Sequence, residues 1–208
     1  EMVDAACEAG ANCVKFQMRN MSSVYRKKSL AKQGEDLGTE YVLDLLERFQ
    51  LTLDEHKQVA KYCKDNGILY MCTPWDSDSV VVLEALDVQA YKVASADLTN
   101  LPLIAGLVAT KKPLILSTGM SSVEEIQITT NFLNANNADF VLLHCNSTYP
   151  APLHDINLNW MKKLKGIHSL IGYSGHERGI AVTLAAVGLG AKVVERHFTF
   201  DRSMEGPD

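Results

Sequence analysis

Hydrophobic positions fall into seven short runs, separated by longer segments in which they recur every three or four residues. The runs are five or six residues long and bounded by Gly, Pro, Asn or Ser, which is typical of buried strands. They lie at 13–17, 68–73, 90–95, 113–118, 140–145, 170–174 and 192–197. The helical patterns between them lie at 41–49, 53–67, 77–88, 101–112, 122–135, 158–166 and 179–190. Strands that alternate with helices predict a parallel sheet.

The number of strands favours a closed barrel. A helical pattern at the very start ends at Gly10, and no strand-like run precedes it. One further strand would give eight, the number in a (β/α)₈ TIM-type barrel. A doubly wound open sheet is the alternative, but its GxGxxG fingerprint is missing from the first strand–helix turn. We therefore predict a single (β/α)₈ barrel domain over residues 1–208, lacking its first strand.

Composition excludes several classes of protein. The 208 residues carry a net charge of −5, which argues against a nucleic-acid-binding surface. The chain contains no run of 18 apolar residues, so we expect no membrane-spanning helix. Its first residues lack the features of a signal peptide. The five cysteines are scattered and contain no CxxC, so we expect reduced thiols in a cytoplasmic protein.

One long irregular segment, Met18 to Thr39, is rich in cations. It carries Arg19, Arg26, Lys27, Lys28 and Lys32. Two interpretations remain open: an extended loop on the catalytic face of the barrel, or a solvated, locally mobile loop.

Two lysines have matching positions in their strands. In CVKFQ, Val14 and Phe16 share one face, so Lys15 points the other way, towards the barrel interior. AYKVAS repeats this pattern around Lys92. Together with the strand-end hydroxyls of Ser95, Ser117, Ser147 and Ser174, two buried lysines predict a site for phosphate or carboxylate. A solvated strand end is the alternative for either lysine alone.

Two histidines lie at the ends of the last two strand runs. His176 and His197 are 21 residues apart, about one strand–helix unit, so they end adjacent strands. Neighbouring parallel strands are about 4.8 Å apart, which allows two imidazoles to bind one metal ion. Ordinary buried or general-base histidines are the alternative. His144 is a possible third ligand, but its position inside FVLLHC fits packing better.

Several motifs, in the same order, resemble those of the N-acetylneuraminate (sialic acid) synthase family. They are KFQ, YKVAS, STGMSSVEEI, HCNSTYPAP, IGYSGHERGIA and GAKVVERHFTFDRSMEGPD. The resemblance runs through nearly the whole chain. It implies a (β/α)₈ barrel that condenses phosphoenolpyruvate with an N-acylated amino-sugar aldehyde, such as N-acetylmannosamine. The products would be a nine-carbon 2-keto acid and phosphate, and the cofactor a divalent metal, Mn²⁺ or Mg²⁺.

The resemblance also assigns roles to residues. His176 and His197 would bind the metal, and Tyr149 and Asp208 would lie near the sugar. The phosphoenolpyruvate pocket would be formed by Lys15, Thr73, Lys92, Ser95, Ser117, Ser147 and Ser174. Chemistry, apart from the resemblance, calls for a carboxylate to position or activate the attacking water. Glu195 is a candidate, and a role in orienting the strand beside His197 is the alternative.

Two family elements are missing from this chain. Family members begin with a strand that carries a glutamate implicated in catalysis, and they end in a small antifreeze-like domain. That domain supplies an arginine to the sugar site of the partner subunit in a homodimer. We therefore expect this chain, truncated at both ends, to be poorly soluble or inactive alone.

Two alternative functions remain open from the sequence. A non-catalytic barrel that binds phosphosugars would need the lysines but no open metal site. Another metal-dependent, phosphoenolpyruvate-using aldol-type synthase would share both features, and an aldolase would need a lysine able to form a Schiff base. The acceptor sugar of a synthase is not determined by these motifs.

Overall fold

The structure is a computed structural model that describes residues 1–25 and 40–205; for residues 40–42 and 44 it describes only the backbone. The chain divides into two compact units. The first comprises Glu1–Gln89 with the segment that begins at Thr199, and the second comprises Ala90–Phe198. Within the described residues, no helix is both long enough and apolar enough to cross a membrane.

The first unit contains two parallel strands. Its elements are α1 Met2–Glu8, β1 Cys13–Met18, α2 Met21–Val24, α3 Glu40–Phe49, α4 Leu53–Asp65, β2 Leu69–Pro74 and α5 Ser77–Ala85. A capping box between Thr52 and Glu55 starts α4, because each residue satisfies a backbone N–H of the other. The helix ends before Gly67, whose φ of +72° suits a residue without a Cβ.

Packing of β1 confirms the predicted orientation of its side chains. Phe16 stacks on Tyr70 of β2, with ring centroids 5.4 Å apart, and meets His56 of α4 edge to face at 6.4 Å. The apolar face of β1 therefore lies against helix α4. Since side chains alternate along a strand, Lys15 and Gln17 lie on the opposite face.

Among the cationic residues of the long irregular segment, Arg19 is packed inside the first unit. It is only 7% exposed, donates a hydrogen bond to Gln17, and lies over the Trp75 ring at 4.8 Å. Residues 26–39 of that segment lie outside the described residues, so neither interpretation of the loop is tested there.

The second unit contains five parallel strands. Its elements are β3 Tyr91–Val93, α6 Leu101–Ala109, β4 Leu114–Ser117, α7 Val123–Ala135, β5 Phe140–Cys145, α8 Trp160–Ile167, β6 Ile171–Gly175, α9 Ala181–Gly188 and β7 Val194–Arg196. Neighbouring strands pair in chain order. The Ser122–Glu125 pair starts α7 with a capping box, as the sequence predicts. Strands that alternate with helices and pair with their sequence neighbours are the repeat of a (β/α)₈ barrel.

The core of the second unit lies between the sheet and its helices. Leu114, Leu116 and Leu142 of the strands are fully buried, as are Leu107 of α6 and Leu133 of α7. Each such side chain contributes roughly 1.5–3 kcal/mol when removed from water. This packing makes a rigid support for the polar side chains that the strands carry.

Close packing between β6 and its neighbours requires glycine at position 172. A Cβ there would collide with the carbonyl oxygen of Val193 and with Leu143 Cδ2. We expect Gly172→Ala to lower the free energy of unfolding of the full-length protein by about 2 kcal/mol, because overpacking forces the backbone to move. Urea denaturation would measure the loss.

Gly166 is the matched control for this substitution. It lies in α8, and a Cβ there has nothing within 4 Å. Gly166→Ala should leave stability unchanged or raise it by about 0.5–1 kcal/mol, since alanine restricts the unfolded chain. Equal stabilities for the two variants would contradict the proposed collision.

Candidate active site at the strand ends

Three strands of the second unit place reactive side chains in one row. Cys145 of β5 pairs with Ser174 of β6, and Ser174 pairs with Glu195 of β7. Residues paired in parallel strands point to the same side of the sheet, as do residues two apart along a strand. His176 and His197 follow Ser174 and Glu195 by two positions each. The register thus directs this row and the two histidines towards one face.

The same register brings Lys92 to this face. Ser117 pairs with Leu143, which is two residues before Cys145. Lys92 pairs with Ile115, which is two residues before Ser117. The prediction that Lys92 points away from Tyr91 and Val93, into the site, is therefore consistent with the pairing of four strands.

Lys92 is buried, and its ammonium lies close to three oxygen atoms. It is 3% exposed, and its Nζ donates to Ser117 Oγ at 2.8 Å and to the Val93 carbonyl at 2.9 Å. Glu195 Oε2 lies 3.5 Å from the same Nζ. A buried ammonium is costly unless it is paired, so Glu195 stabilises the charged form of Lys92.

Glu195 thus has a larger part in the site than the sequence indicates. Its side chain is 16% exposed and faces Lys92. Its negative charge also helps to raise the pKa of His176. Glu195 therefore connects the lysine to the histidines, a contact that depends on strand register and leaves no signal in the sequence.

The two histidines lie close together, as their spacing predicts. Their ring centroids are 5.4 Å apart. His176 Nδ1 is 2.5 Å from the Asn146 carbonyl oxygen. A carbonyl oxygen only accepts, so Nδ1 carries the proton, and in the neutral ring Nε2 offers its lone pair. This is the orientation that a metal-binding histidine requires.

Tyr149 packs against both histidines. Its ring stacks on His176 with a centroid distance of 4.0 Å and meets His197 edge to face at 5.5 Å. Its hydroxyl lies 3.4 Å from His197 Nε2. The structure therefore places Tyr149 in the site, and its predicted contact with a sugar remains a prediction.

Cys145 is a site residue that sequence reasoning missed. Its Sγ is 3.9 Å from His176 Nδ1. Burial by itself would raise the pKa of the thiol, but the hydrogen bond and charge of His176, with hydrogen bonds from Ser95 and Ser174, lower it below its ordinary value. Conversely, burial opposes protonation of His176, whereas Cys145, the Asn146 carbonyl and Glu195 raise its pKa. None of the five cysteines forms a disulfide bond, which agrees with the predicted reduced thiols.

The remaining hydroxyls predicted for an anion pocket have different surroundings. Ser95 accepts a hydrogen bond from the Gly119 N–H at 3.1 Å. Ser147 borders a polar cavity of about 370 Å³ together with Thr118 and Asn146. Ser147 Oγ is buried and has no hydrogen-bond partner among the described residues. It therefore retains its hydrogen-bonding capacity for a ligand or for water.

Three predicted residues are not part of this cluster in the second unit. Lys15 lies on β1 of the first unit. Burial raises the pKa of the Cys72 thiol, and the charge of Lys15 offsets a small part of that rise. Thr73 lies on β2, and its buried Oγ1 has no hydrogen-bond partner among the described residues. Asp208 lies outside the described residues.

His144 lies on the opposite face of the sheet from the two histidines. It precedes Cys145 by one residue, and its Nε2 donates to the Ile156 carbonyl at 2.6 Å. Burial lowers its pKa. The interpretation of His144 as a packing residue is therefore preferred over that of a third metal ligand.

Comparisons with known proteins agree with these features. The chain matches the NeuB family over residues 2–208. It is 39% identical over 215 residues to N,N'-diacetyllegionaminic acid synthase of Campylobacter jejuni, covering 100% of this chain and 64% of that protein. Human N-acetylneuraminate-9-phosphate synthase is 32% identical over 212 residues, covering 100% of this chain and 59% of that enzyme.

A solved structure shows the same fold. The N-acetylneuraminic acid (sialic acid) synthetase of Leptospira borgpetersenii, crystallised with citrate, aligns with a TM-score of 0.89 and 30% identity. The alignment covers 99% of this chain and 68% of that one. It confirms the predicted fold class, a partial (β/α)₈ barrel. The chain spans about 60% of the length of the curated relatives named above, and it belongs to the NeuB family of sialic-acid-type synthases.

Proposed function

We propose that the full-length protein condenses phosphoenolpyruvate with an N-acylated amino-sugar aldehyde and water, giving a nine-carbon 2-keto acid and phosphate. One observation carries the proposal: a buried lysine–glutamate pair and two close histidines share one face at the ends of parallel strands. In barrel enzymes this end of the sheet holds the active site. The names of the relatives support the class of reaction. We also propose that the full-length protein is a homodimer, from the family resemblance.

Lys92 would hold the phosphoenolpyruvate anion. Its ammonium is already held between Ser117 and Glu195, so it can exchange part of that pairing for a phosphate or carboxylate oxygen. Charge-assisted hydrogen bonds from a buried ammonium are strong and directional. We propose that Ser95, Ser147 and Ser174 supply further donors to this anion.

The two histidines fit a divalent metal, Mn²⁺ or Mg²⁺. His176 presents Nε2 because its Nδ1 is bound to Asn146, and the His197 ring lies beside it. Among the described residues, no group of three His, Cys, Asp or Glu side chains could hold an ion. The remaining ligands would therefore be water, substrate or residues outside the described ranges, which leaves positions open for chemistry.

The reaction balances without an external oxidant or reductant. C3 of phosphoenolpyruvate attacks the aldehyde carbon and forms the new C–C bond, and the aldehyde oxygen becomes a hydroxyl. Water adds at C2, and the bond from C2 to the phosphate oxygen then breaks to leave a keto group and inorganic phosphate. A bound divalent ion would supply Lewis acidity at the aldehyde oxygen.

The residues of the site would position both substrates during these steps. Lys92 would hold the phosphate that leaves, with its position maintained by Ser117 and Glu195. Tyr149, stacked on His176 and half exposed, would pack against the acceptor sugar. Aromatic rings are suited to this role because they offer apolar area and a hydroxyl together.

The contacts of Lys92 argue against a Schiff-base aldolase. Such an enzyme needs a neutral amine in an apolar pocket. Lys92 instead has a carboxylate at 3.5 Å and two oxygen acceptors, all of which stabilise its ammonium form. Borohydride with pyruvate should therefore leave Lys92 unlabelled.

Phosphate release by the full-length protein tests the proposal. With phosphoenolpyruvate, Mn²⁺ and N-acetylmannosamine or another acylated amino sugar, we expect release only when the sugar is present. EDTA should abolish it, and added Mn²⁺ should restore it. Release with a different amino sugar would retain the reaction and change the acceptor. A folded protein that binds phosphoenolpyruvate but releases no phosphate with any of these sugars would contradict the proposal.

A further inference from the structure

On the face of the sheet opposite the two histidines, a partly exposed arginine forms an ion pair with a fully buried glutamate. Arg196 pairs through Nη1 with Glu177 Oε1, and the Glu177 side chain is 0% exposed. Arg196 precedes His197 directly, and Glu177 follows His176 directly. Val194 pairs with Tyr173 on the face of the sheet opposite Ser174 and Glu195. Arg196, two residues after Val194, lies on the same face as Val194. The pair therefore lies outside the row of side chains proposed to bind substrate.

Both oxygens of the buried carboxylate are satisfied. Arg196 donates to Oε1, and the Tyr173 hydroxyl donates to Oε2 at 2.7 Å. Thr183 Oγ1 is also near, 3.4 Å from Oε1. A carboxylate held in this way is fixed in position, because each alternative position would break a charge-assisted hydrogen bond.

Arg196 also holds the backbone that follows His176. Its Nη2 donates to the Glu177 carbonyl and, at 3.2 Å, to the Gly179 carbonyl. On the other side of His176, Gly175 pairs with Arg196 in the sheet, and a side chain at 175 would collide with the guanidinium. One arginine thus fixes the chain immediately before and immediately after His176.

We propose that Glu177 and Arg196 are positioning residues that set the separation of the two imidazoles and thereby the affinity for the metal. This inference rests on the proposed metal role of His176 and His197. The planar guanidinium can reach a carboxylate and two carbonyls at once, whereas an ammonium cannot reproduce that fork. Removal of residues that orient metal ligands without binding the metal themselves typically changes the metal affinity 10- to 100-fold.

The test is Mn²⁺ binding by the full-length protein, followed by the electron paramagnetic resonance signal of free Mn²⁺. Arg196→Lys should raise the dissociation constant about 10- to 100-fold. Glu177→Gln combined with Arg196→Gln removes both charges together, so no unpaired buried ion remains, and should have a similar effect.

Tyr173→Phe removes one hydroxyl from the carboxylate and should weaken binding less. Arg178→Lys, at an exposed neighbouring position, is the matched control and should bind as the wild type does.

Thermal unfolding of the metal-free variants separates positioning from stability, because a purely structural role would change Tm and leave the dissociation constant unchanged. If Arg196→Lys, the double variant and Tyr173→Phe all bind Mn²⁺ within about twofold of wild type, the positioning role is wrong while the metal site stands. If the wild type shows no Mn²⁺ binding that His176→Ala removes, the metal site itself is wrong, and the positioning role fails with it.

Discussion

Replacing Lys92 with methionine is expected to lower kcat/KM for phosphoenolpyruvate about 10²–10³-fold in the full-length protein. The substitution removes the buried ammonium that lies 2.8 Å from Ser117 Oγ and 3.5 Å from Glu195 Oε2. It also leaves the largely buried Glu195 carboxylate without this cation. Breaking such a pair typically costs about 3–5 kcal/mol, so we expect a lower Tm as well. Steady-state phosphate release and calorimetry would measure the two effects.

A double variant distinguishes these effects. Lys92→Met combined with Glu195→Gln removes the carboxylate charge together with the ammonium, so most of the lost stability should return. Phosphoenolpyruvate affinity should remain low, because no cation is restored. Recovery of both stability and turnover in the double variant would show that Lys92 serves only to neutralise Glu195.

Removal of either histidine is expected to lower metal-dependent turnover about 10³-fold, which corresponds to loss of roughly 4 kcal/mol of transition-state stabilisation. His176→Ala and His197→Ala should each have this effect, because the two rings, 5.4 Å apart, are proposed to bind one ion. The combined variant should be no worse than either alone, since residues that act as a unit are not additive. Phosphate release over a range of Mn²⁺ concentrations would measure the loss.

His154→Ala is the matched control for the histidine variants. The His154 side chain is 82% exposed and pairs only weakly with Asp155, at 3.6 Å. It should retain wild-type turnover. A second readout is the rise in Tm on adding Mn²⁺, which reports binding to the folded state. The wild type and His154→Ala should show this rise, and the two site variants should not. Full activity in His176→Ala or His197→Ala would exclude the metal role.

The sequence predicts two properties of the Lys92 side chain, its direction and its burial, and the structure shows both for different reasons. Alternation along β3 places Lys92 opposite Tyr91 and Val93, and that depends only on the two-residue period of a strand. Burial of Lys92 has a different cause, because its Nζ packs against Ser117 and Glu195 on the face opposite Tyr91 and Val93. The identity of its anionic partner does not follow from the period. Glu195 is 103 positions away in the chain, and only the strand pairing brings it within 3.5 Å.

The histidine pair shows the same division between local and long-range information. Their spacing of about one strand–helix unit predicts neighbouring strand ends, and the rings are indeed close. Their hydrogen bonds depend on the loop after β5, which brings the Asn146 carbonyl and Tyr149 to them. Loop backbone has no hydrophobic period, so these contacts are not predictable from residue spacing. Cys145 was missed for a related reason, since a buried cysteine in a strand looks like any small apolar residue.

By itself, the sequence determined the alternation of strands and helices, the face of each strand that carries polar groups, and the two histidines at adjacent strand ends. These are consequences of side-chain period and element length, both of which are local. The tertiary structure alone decided that Glu195 pairs with Lys92 and that Cys145 contacts His176. It also decided that Arg196 forms an ion pair with Glu177 on the face of the sheet opposite the histidines. Such contacts depend on register between strands distant in sequence, where a shift of one residue would turn every side chain to the other face.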